Sequence, residues 1–227
     1  MTIKVHKQYV DQMKSICRRW EALTNLELED VMYSKMVIKD VNNYLAVSVD
    51  GYVKRKGAAF IHKIKPGELE LHKNFSMLVI PKALEAYFVE GISPEEFIHN
   101  HNDIYDFFKR TKLNRSSSLL SRVYDEKGNV SSQYELQRIT RYYVSGYQEY
   151  HKDTKTYSYH GTGNTLIKVM PPLKGKENDR EFNIEAGYLC TECNDMNATS
   201  VEQIKSKLNY QYYVDEVYKI IDLIEPK

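Results

Sequence analysis

The sequence predicts an α+β fold: a β-hairpin near the start, then a pair of helices, a run of antiparallel strands and a closing helix. Three observations carry this prediction. Asp50-Gly51 joins two β-rich runs, and Asp-Gly between alternating runs is the strongest short-range hairpin signal. Ser93-Pro94-Glu95-Glu96 forms a capping box at the head of an apolar stripe. Residues 118–192 then hold short β-rich runs punctuated by turn clusters, before helical spacing resumes at Tyr210.

Taken in order, Tyr9, Met13, Ile16, Cys17, Trp20 and Leu23 fall on one face at helical spacing, with Lys7, Asp11, Lys14, Arg18 and Glu21 elsewhere. This predicts an amphipathic helix facing a core, or an interface for a partner. In the hairpin that follows, a two-residue type I′ loop sets Val49 opposite Tyr52, Val47 opposite Lys54, Leu45 opposite Lys56 and Tyr44 opposite Gly57. Lys54 and Lys56 then project together and Arg55 points the other way. Gly57 leaves bare backbone beside the Tyr44 ring, where a phosphate has room to approach.

Pro81 suits the start of a helix carrying Ala83, Leu84, Tyr87 and Phe88, with Gly91 just past its end. The helix opened by Ser93 is expected to run through Phe97, Ile98, His101, Ile104, Tyr105 and Phe108 and to pack on its predecessor. His99 and His101 are two apart and share no helical face, so they make no metal pair; His101 reads as an interior or boundary histidine. Residues 125–129 are a turn cluster, and residues 138–144 alternate as a strand. Residues 151–164, polar and tyrosine-rich, read as a long loop or wandering hairpin. Residues 166–170 form a strand stopped by Pro171-Pro172, residues 174–180 a charged surface loop, and residues 185–190 a return to the sheet. Ser200 with Gln203 caps a short helix, and a longer one runs from Tyr210 through Ile224.

Composition narrows the function. Net charge is only +1 over 227 residues, so no global field of the histone or ribosomal kind surrounds the chain, and any nucleic-acid surface is local. One such surface is Lys54, Arg55, Lys56, Lys63 and Lys65, without an intervening acid. A second run, Lys109, Arg110, Lys112, Arg115 and Arg122, is equally consistent with a solvated face. Cys17, Cys190 and Cys193 are an odd, sparse set, and no N-terminal apolar segment resembles a signal peptide or membrane span, which points to a reducing cytoplasm. Cys190 and Cys193 have zinc-ligand spacing but lack a second pair, so two half-buried thiols at a strand end are expected. Among the 19 tyrosines, Tyr142, Tyr143, Tyr212 and Tyr213 sit in patterned segments, where core packing is the commoner use.

The run Tyr33-Ser34-Lys35-Met36-Val37-Ile38-Lys39-Asp40-Val41-Asn42-Asn43-Tyr44, then Lys54-Arg55-Lys56-Gly57, Leu71-His72-Lys73-Asn74 and Val79-Ile80-Pro81-Lys82-Ala83, resembles the end of a phage-type family B DNA polymerase. Looser matches follow at Thr140-Arg141-Tyr142-Tyr143-Val144-Ser145, Lys168-Val169-Met170-Pro171-Pro172 and Asn209-Tyr210-Gln211-Tyr212-Tyr213. In that family a Lys-x-Tyr element and a strand ending in Lys-Gly sit where palm meets thumb and hold the primer-template duplex. Tyr44 matches the tyrosine and Lys56-Gly57 the Lys-Gly. Asn42 stands where many members have lysine, with Lys39 or Lys54 available to replace that charge.

The resemblance implies a palm remnant over residues 1–75 and a thumb-like domain over 76–227. It further implies DNA contacts by Asn42, Tyr44, Lys54, Arg55, Lys56, Gly57, Lys73 and Arg141. The family's aspartate-containing motifs have no counterpart here. Two-metal phosphoryl transfer needs carboxylates that hold both ions, so the chain is expected to be inactive alone. It reads as a C-terminal polymerase piece, encoded separately or cut out. Its expected partners are duplex DNA and a catalytic chain with exonuclease, palm and fingers, where Mg2+ would bind; no cofactor, metal or membrane is expected for the chain itself, and its compartment is the bacterial host cytoplasm if a phage encodes it. The alternative is a non-enzymatic interaction protein derived from a polymerase fragment, motivated by the apolar first helix and the tyrosine-rich residues 147–159. A nuclease ranks last, because Asp40 has no evident acidic companion.

Overall fold

The computed structural model describes residues 4–28, 30–62, 77–194 and 200–226. Lys63, Lys65 and the Leu71-His72-Lys73-Asn74 match lie outside the described residues. The fold is α+β, with antiparallel pairing in the larger sheets. The chain divides into two compact units, Met1–Met36 with Ala46–Lys54, and Val37–Leu45 with Arg55–Lys227.

In the first unit, helix α1 spans Val10–Thr24. It ends where Asn25 turns left-handed at φ 54° and its N–H bonds the Glu21 carbonyl at 2.9 Å. The apolar stripe forms as predicted but does not face a core. No residue of α1 is buried, and Trp20 and Leu23 are 42% and 78% exposed. Among its described residues the unit has no second α-helix to receive the stripe.

Strands β1 (Tyr33–Asp40), β2 (Asn43–Ser48) and β3 (Val53–Lys56) form a sheet in that order. The hairpin between β2 and β3 is where Asp50-Gly51 predicts it, but its loop has three residues. Gly51 N bonds Ser48 O at 3.1 Å, and Ser48 N bonds Tyr52 O at 2.8 Å. Gly51 sits at φ 87°, the single left-handed residue of a type I turn with a glycine bulge. The Ser48 hydroxyl bonds Asp50 and the Tyr52 carbonyl, which stabilises the wider loop. Counting outward from Ser48 opposite Tyr52, the facing pairs become Val47 with Val53, Leu45 with Arg55 and Tyr44 with Lys56. The two-residue register is therefore corrected by one position. Facing along β3 is unaffected, because alternation within a strand does not depend on its partner: Lys54 and Lys56 are exposed, Val53 and Arg55 half-buried.

In the second unit, α2 (Val79–Glu85) continues into a π-helical turn, Ala86–Glu90, that Gly91 ends at φ 77°. Helix α3 (Pro94–Asn100) begins as predicted, with Glu96 N–H donating to Ser93 Oγ at 3.2 Å and Pro94 at the first position. It stops at Asn100, well short of the expected Phe108. His101 is extended, and Asp103 accepts from Tyr105 N to start a separate 3₁₀ turn, Ile104–Phe107. The later part of the stripe thus belongs to that turn. Of the two placements expected for His101, the boundary one is found: it is half-buried, its Nε2 2.5 Å from Asp106, which also accepts from Lys82 at 2.5 Å.

Two antiparallel sheets complete the unit. One has the order β10-β9-β5-β6 (Arg180–Asn183, Thr165–Met170, Ser118–Tyr124 and Val130–Glu135). The other has β11 (Tyr188–Glu192), β7 (Ile139–His151) and β4 (Lys109–Lys112), with β8 (Thr156–Gly161) on the far half of β7. The tyrosine-rich residues are therefore a hairpin, not a loop. Its β8 strand is clipped to the β5–β6 turn by Tyr157 N to Glu126 O at 2.7 Å.

Helix α4 (Val201–Lys207) carries the complete Ser200–Gln203 capping box, and α5 (Tyr210–Ile224) is capped by Asn209. Helices α2, α3 and α5 pack together. Tyr213 lies at the centre of the core, its hydroxyl donating to Phe107 O at 3.0 Å and accepting from Val144 N at 3.0 Å. Beside it, buried Glu185 accepts from Lys109 (2.6 Å), Tyr142 (2.9 Å) and Tyr212 (2.8 Å). These tyrosines serve the core, as their patterned positions imply. Cys190 and Cys193 are fully buried rather than half-buried, with Cys190 opposite Val144 on the central strand. Burial pushes the Cys190 thiol well above its ordinary range. Among the described residues no helix is long and apolar enough to cross a membrane.

Candidate nucleic-acid interface

The candidate interface is built on the turn between β1 and β2, and its residues divide into those that make the turn and those the turn presents. Asp40 makes it: its carboxylate accepts from Asn42 N at 2.8 Å and from the Asn43 side-chain amide at 3.0 Å. The Asn43 hydrogen bond, then the Asn42 backbone bond and the Lys39 ammonium 3.6 Å away, hold the Asp40 carboxyl below the usual range. Asn43 faces both ways, because its Oδ1 also accepts from Ala59 N at 3.1 Å. The turn is thereby tied to the chain just beyond β3.

Gly57 completes the tie. At φ 81° it is left-handed, and a Cβ there would lie 2.1 Å from the Asn42 carbonyl and 2.3 Å from Asn43 Oδ1. The glycine is required by this approach of the chain to itself, so its backbone is covered by the turn rather than left bare for a phosphate. The Tyr44–Gly57 pairing is also replaced, by Tyr44 with Lys56. The Lys56 ammonium sits 5.6 Å from the centroid of the Tyr44 ring, within range of a cation–π attraction. Val41 and Asn42 are exposed beside them at the tip.

Arg55 has a different role. Its guanidinium makes a two-bonded pair with Glu85 of α2, and His62 Nε2 lies 2.7 Å from the same carboxylate. All three side chains are largely covered, at 13%, 16% and 12% exposure for Arg55, Glu85 and His62. Burial pushes the Glu85 carboxyl upward, but the His62 and Arg55 bonds and charges outweigh it and hold the group at about 2. The cluster fixes the inner face of β3 to a core helix, while the outer face of the strand carries lysines.

The predicted site residues are thus distributed as follows. Asn42, Tyr44, Lys56 and Gly57 come together at one turn; Lys54 is exposed two residues earlier on β3; Arg55 is turned into the Glu85 cluster. Lys73 lies outside the described residues. Arg141 belongs to a different sheet, on β7 directly across from Arg110, with its N–H donating to Asn194 Oδ1 at 2.9 Å. Glu85 and His62 escape sequence reasoning because a pair 30 residues apart leaves no periodic signal. Among the described residues no group of three or more His, Cys, Asp or Glu side chains is placed to hold a metal ion. No family model, curated protein or solved structure matches the chain.

Proposed function

We propose that the chain is the C-terminal palm and thumb portion of a DNA-directed DNA polymerase, which holds the primer-template duplex beside a catalytic site supplied elsewhere. The observation that carries this reading is the division of labour at the turn. Asp40, Asn43 and Gly57 lock it and Arg55 anchors the strand through Glu85, so that Lys56 and the Tyr44 ring are presented together on a rigid support. Lysines held this way neutralise phosphates and position a duplex without reading its sequence. Asn42 at the tip supplies an amide where the resembling family often has a charge.

The nucleotidyl transfer itself is assigned to a separate catalytic portion, whose carboxylates would hold Mg2+. Such a protein works in a reducing cytoplasm, that of a bacterial host if a phage encodes it, which agrees with its free cysteines. The test is duplex binding at low salt, by fluorescence anisotropy. The double variant Lys54→Ala, Lys56→Ala binds more weakly than the parent if the reading holds, and unchanged binding sinks it.

A second reading, a non-enzymatic interaction protein, is favoured by one observation: the exposed stripe of α1, with Ile16, Trp20 and Leu23 open. Mixing with a polymerase catalytic chain discriminates the two. Restored primer extension supports the first reading, and partner capture by a chain without DNA affinity supports the second.

A further inference from the structure

We infer that the corner where β4 ends and β7 begins is a second contact for a nucleic-acid backbone, made by Lys112, Arg115 and Arg138. The inference rests on the duplex-holding reading for its partner but uses residues on and beside a different sheet. The basic run from Lys109 to Arg122 divides sharply in the folded chain. Lys109 is spent on Glu185, and Arg122 on Glu181 through two bonds of 2.7 and 2.8 Å. Lys112 and Arg115 are exposed, and their side chains form no ion pair or hydrogen bond among the described residues.

The fold adds a third such cation. Lys112 pairs with Ile139 in the ladder, and Leu113 N bonds Arg138 O at 3.0 Å, which brings exposed Arg138 to the same strand end. Arg138 likewise has no side-chain partner among the described residues. Arg115 sits in the turn closed by Ser117 N to Asn114 O at 3.2 Å. Two rungs in from Lys112, Arg110 lies directly opposite Arg141.

The turn also holds an orphan. The Ser117 hydroxyl is buried, at 6% residue exposure, and has no hydrogen-bond partner among the described residues, a state that folded chains largely avoid. Asn114, Ser116 and Ser118 add short polar side chains of the kind that accompany cations at phosphates. No aromatic ring stands among residues 109–118 to stack on a base. Within residues 109–118 and 138–141, Ile139 is the one exposed large apolar side chain that could anchor a protein partner. The chemistry therefore fits a backbone, contacted without regard to sequence.

The test compares duplex binding over a salt series for the full chain, for the triple variant Lys112→Gln, Arg115→Gln, Arg138→Gln, and for Lys54→Ala, Lys56→Ala. The triple variant is expected to bind roughly tenfold or more weakly, with a salt slope lower by about 2 to 3, since each neutralised phosphate contributes ~0.9. The charge-keeping triple Lys112→Arg, Arg115→Lys, Arg138→Lys is expected to retain the slope. An unchanged slope in the neutral triple overturns the inference, and if the hairpin variant still loses affinity the hairpin reading survives alone. Loss in the neutral triple with no effect of the hairpin variant upholds the corner and removes the hairpin reading. Corner-dependent binding to polyglutamate or to phosphatidylserine vesicles, with duplex binding unaffected, also overturns it.

Discussion

Replacing Glu85 by Gln removes the charge on which Arg55 and His62 converge, and the cost follows from the geometry. The carboxyl is held at about 2 against an ordinary 4.5. At about 1.4 kcal/mol per pKa step this corresponds to roughly 3 kcal/mol, and access of water at the rim lowers it to about 2 to 3 kcal/mol. The sign follows from the depression. Glu85 contributes its stability in full above about 4.5, and the contribution is lost as pH falls toward about 2. Urea unfolding of the parent and of Glu85→Gln should therefore differ by about 2 to 3 kcal/mol at pH 7, with the gap closing progressively below pH 4.5. Because Arg55 holds the inner face of β3, the variant should also weaken duplex binding without removing a presented lysine. A difference under about 0.5 kcal/mol at pH 7, within the range of ordinary surface changes, or one that persists unchanged at pH 2, refutes the argument.

Gly57→Ala is expected to destabilise by about 2 kcal/mol or more, since its Cβ meets the Asn42 carbonyl at 2.1 Å. Gly51→Ala, with nothing within 4 Å, should cost only about 1 kcal/mol for its left-handed backbone; thermal unfolding of the two variants measures the contrast. Tyr213→Phe strips Val144 N–H of its acceptor and Phe107 O of its donor in the core, and a loss of about 1 to 3 kcal/mol is expected by urea titration. Half-exposed Cys17 should react with a thiol reagent in the native chain, while Cys190 waits for unfolding; equal rates for both contradict its burial.

Local chemistry was the legible part of the fold. Ser93, Pro94 and Ser200 mark their helix starts because a cap is settled by residues three apart, and Gly91 marks an end through its left-handed backbone. Apolar spacing predicts too long a helix α3, because the stripe continues in register through a 3₁₀ turn that such spacing does not distinguish from a longer helix. The hairpin loop is one residue longer than predicted for a related reason: Asp-Gly serves a two-residue turn and a three-residue turn with a bulge alike, and Ser48 decides between them by bonding Asp50 and Tyr52 O. At the candidate site, alternation along β3 correctly set Lys54 and Lys56 apart from Arg55. What Arg55 meets depends on Glu85 and His62, and Gly57 meets the chain's own turn; neither contact is local enough to leave a pattern. Arg138 joins Lys112 only through strand pairing across 26 residues.

The central claim is that the β1–β2 turn and β3 present lysines to a duplex backbone. The most direct measurement is the salt dependence of duplex binding for the parent chain and for Lys54→Ala, Lys56→Ala, on two duplexes of unrelated sequence. Loss of the two lysines should lower the slope by about 2 on both duplexes, by the same amount, because phosphate contacts carry no sequence information. A slope that stays the same, or that falls on one sequence and not the other, contradicts the account.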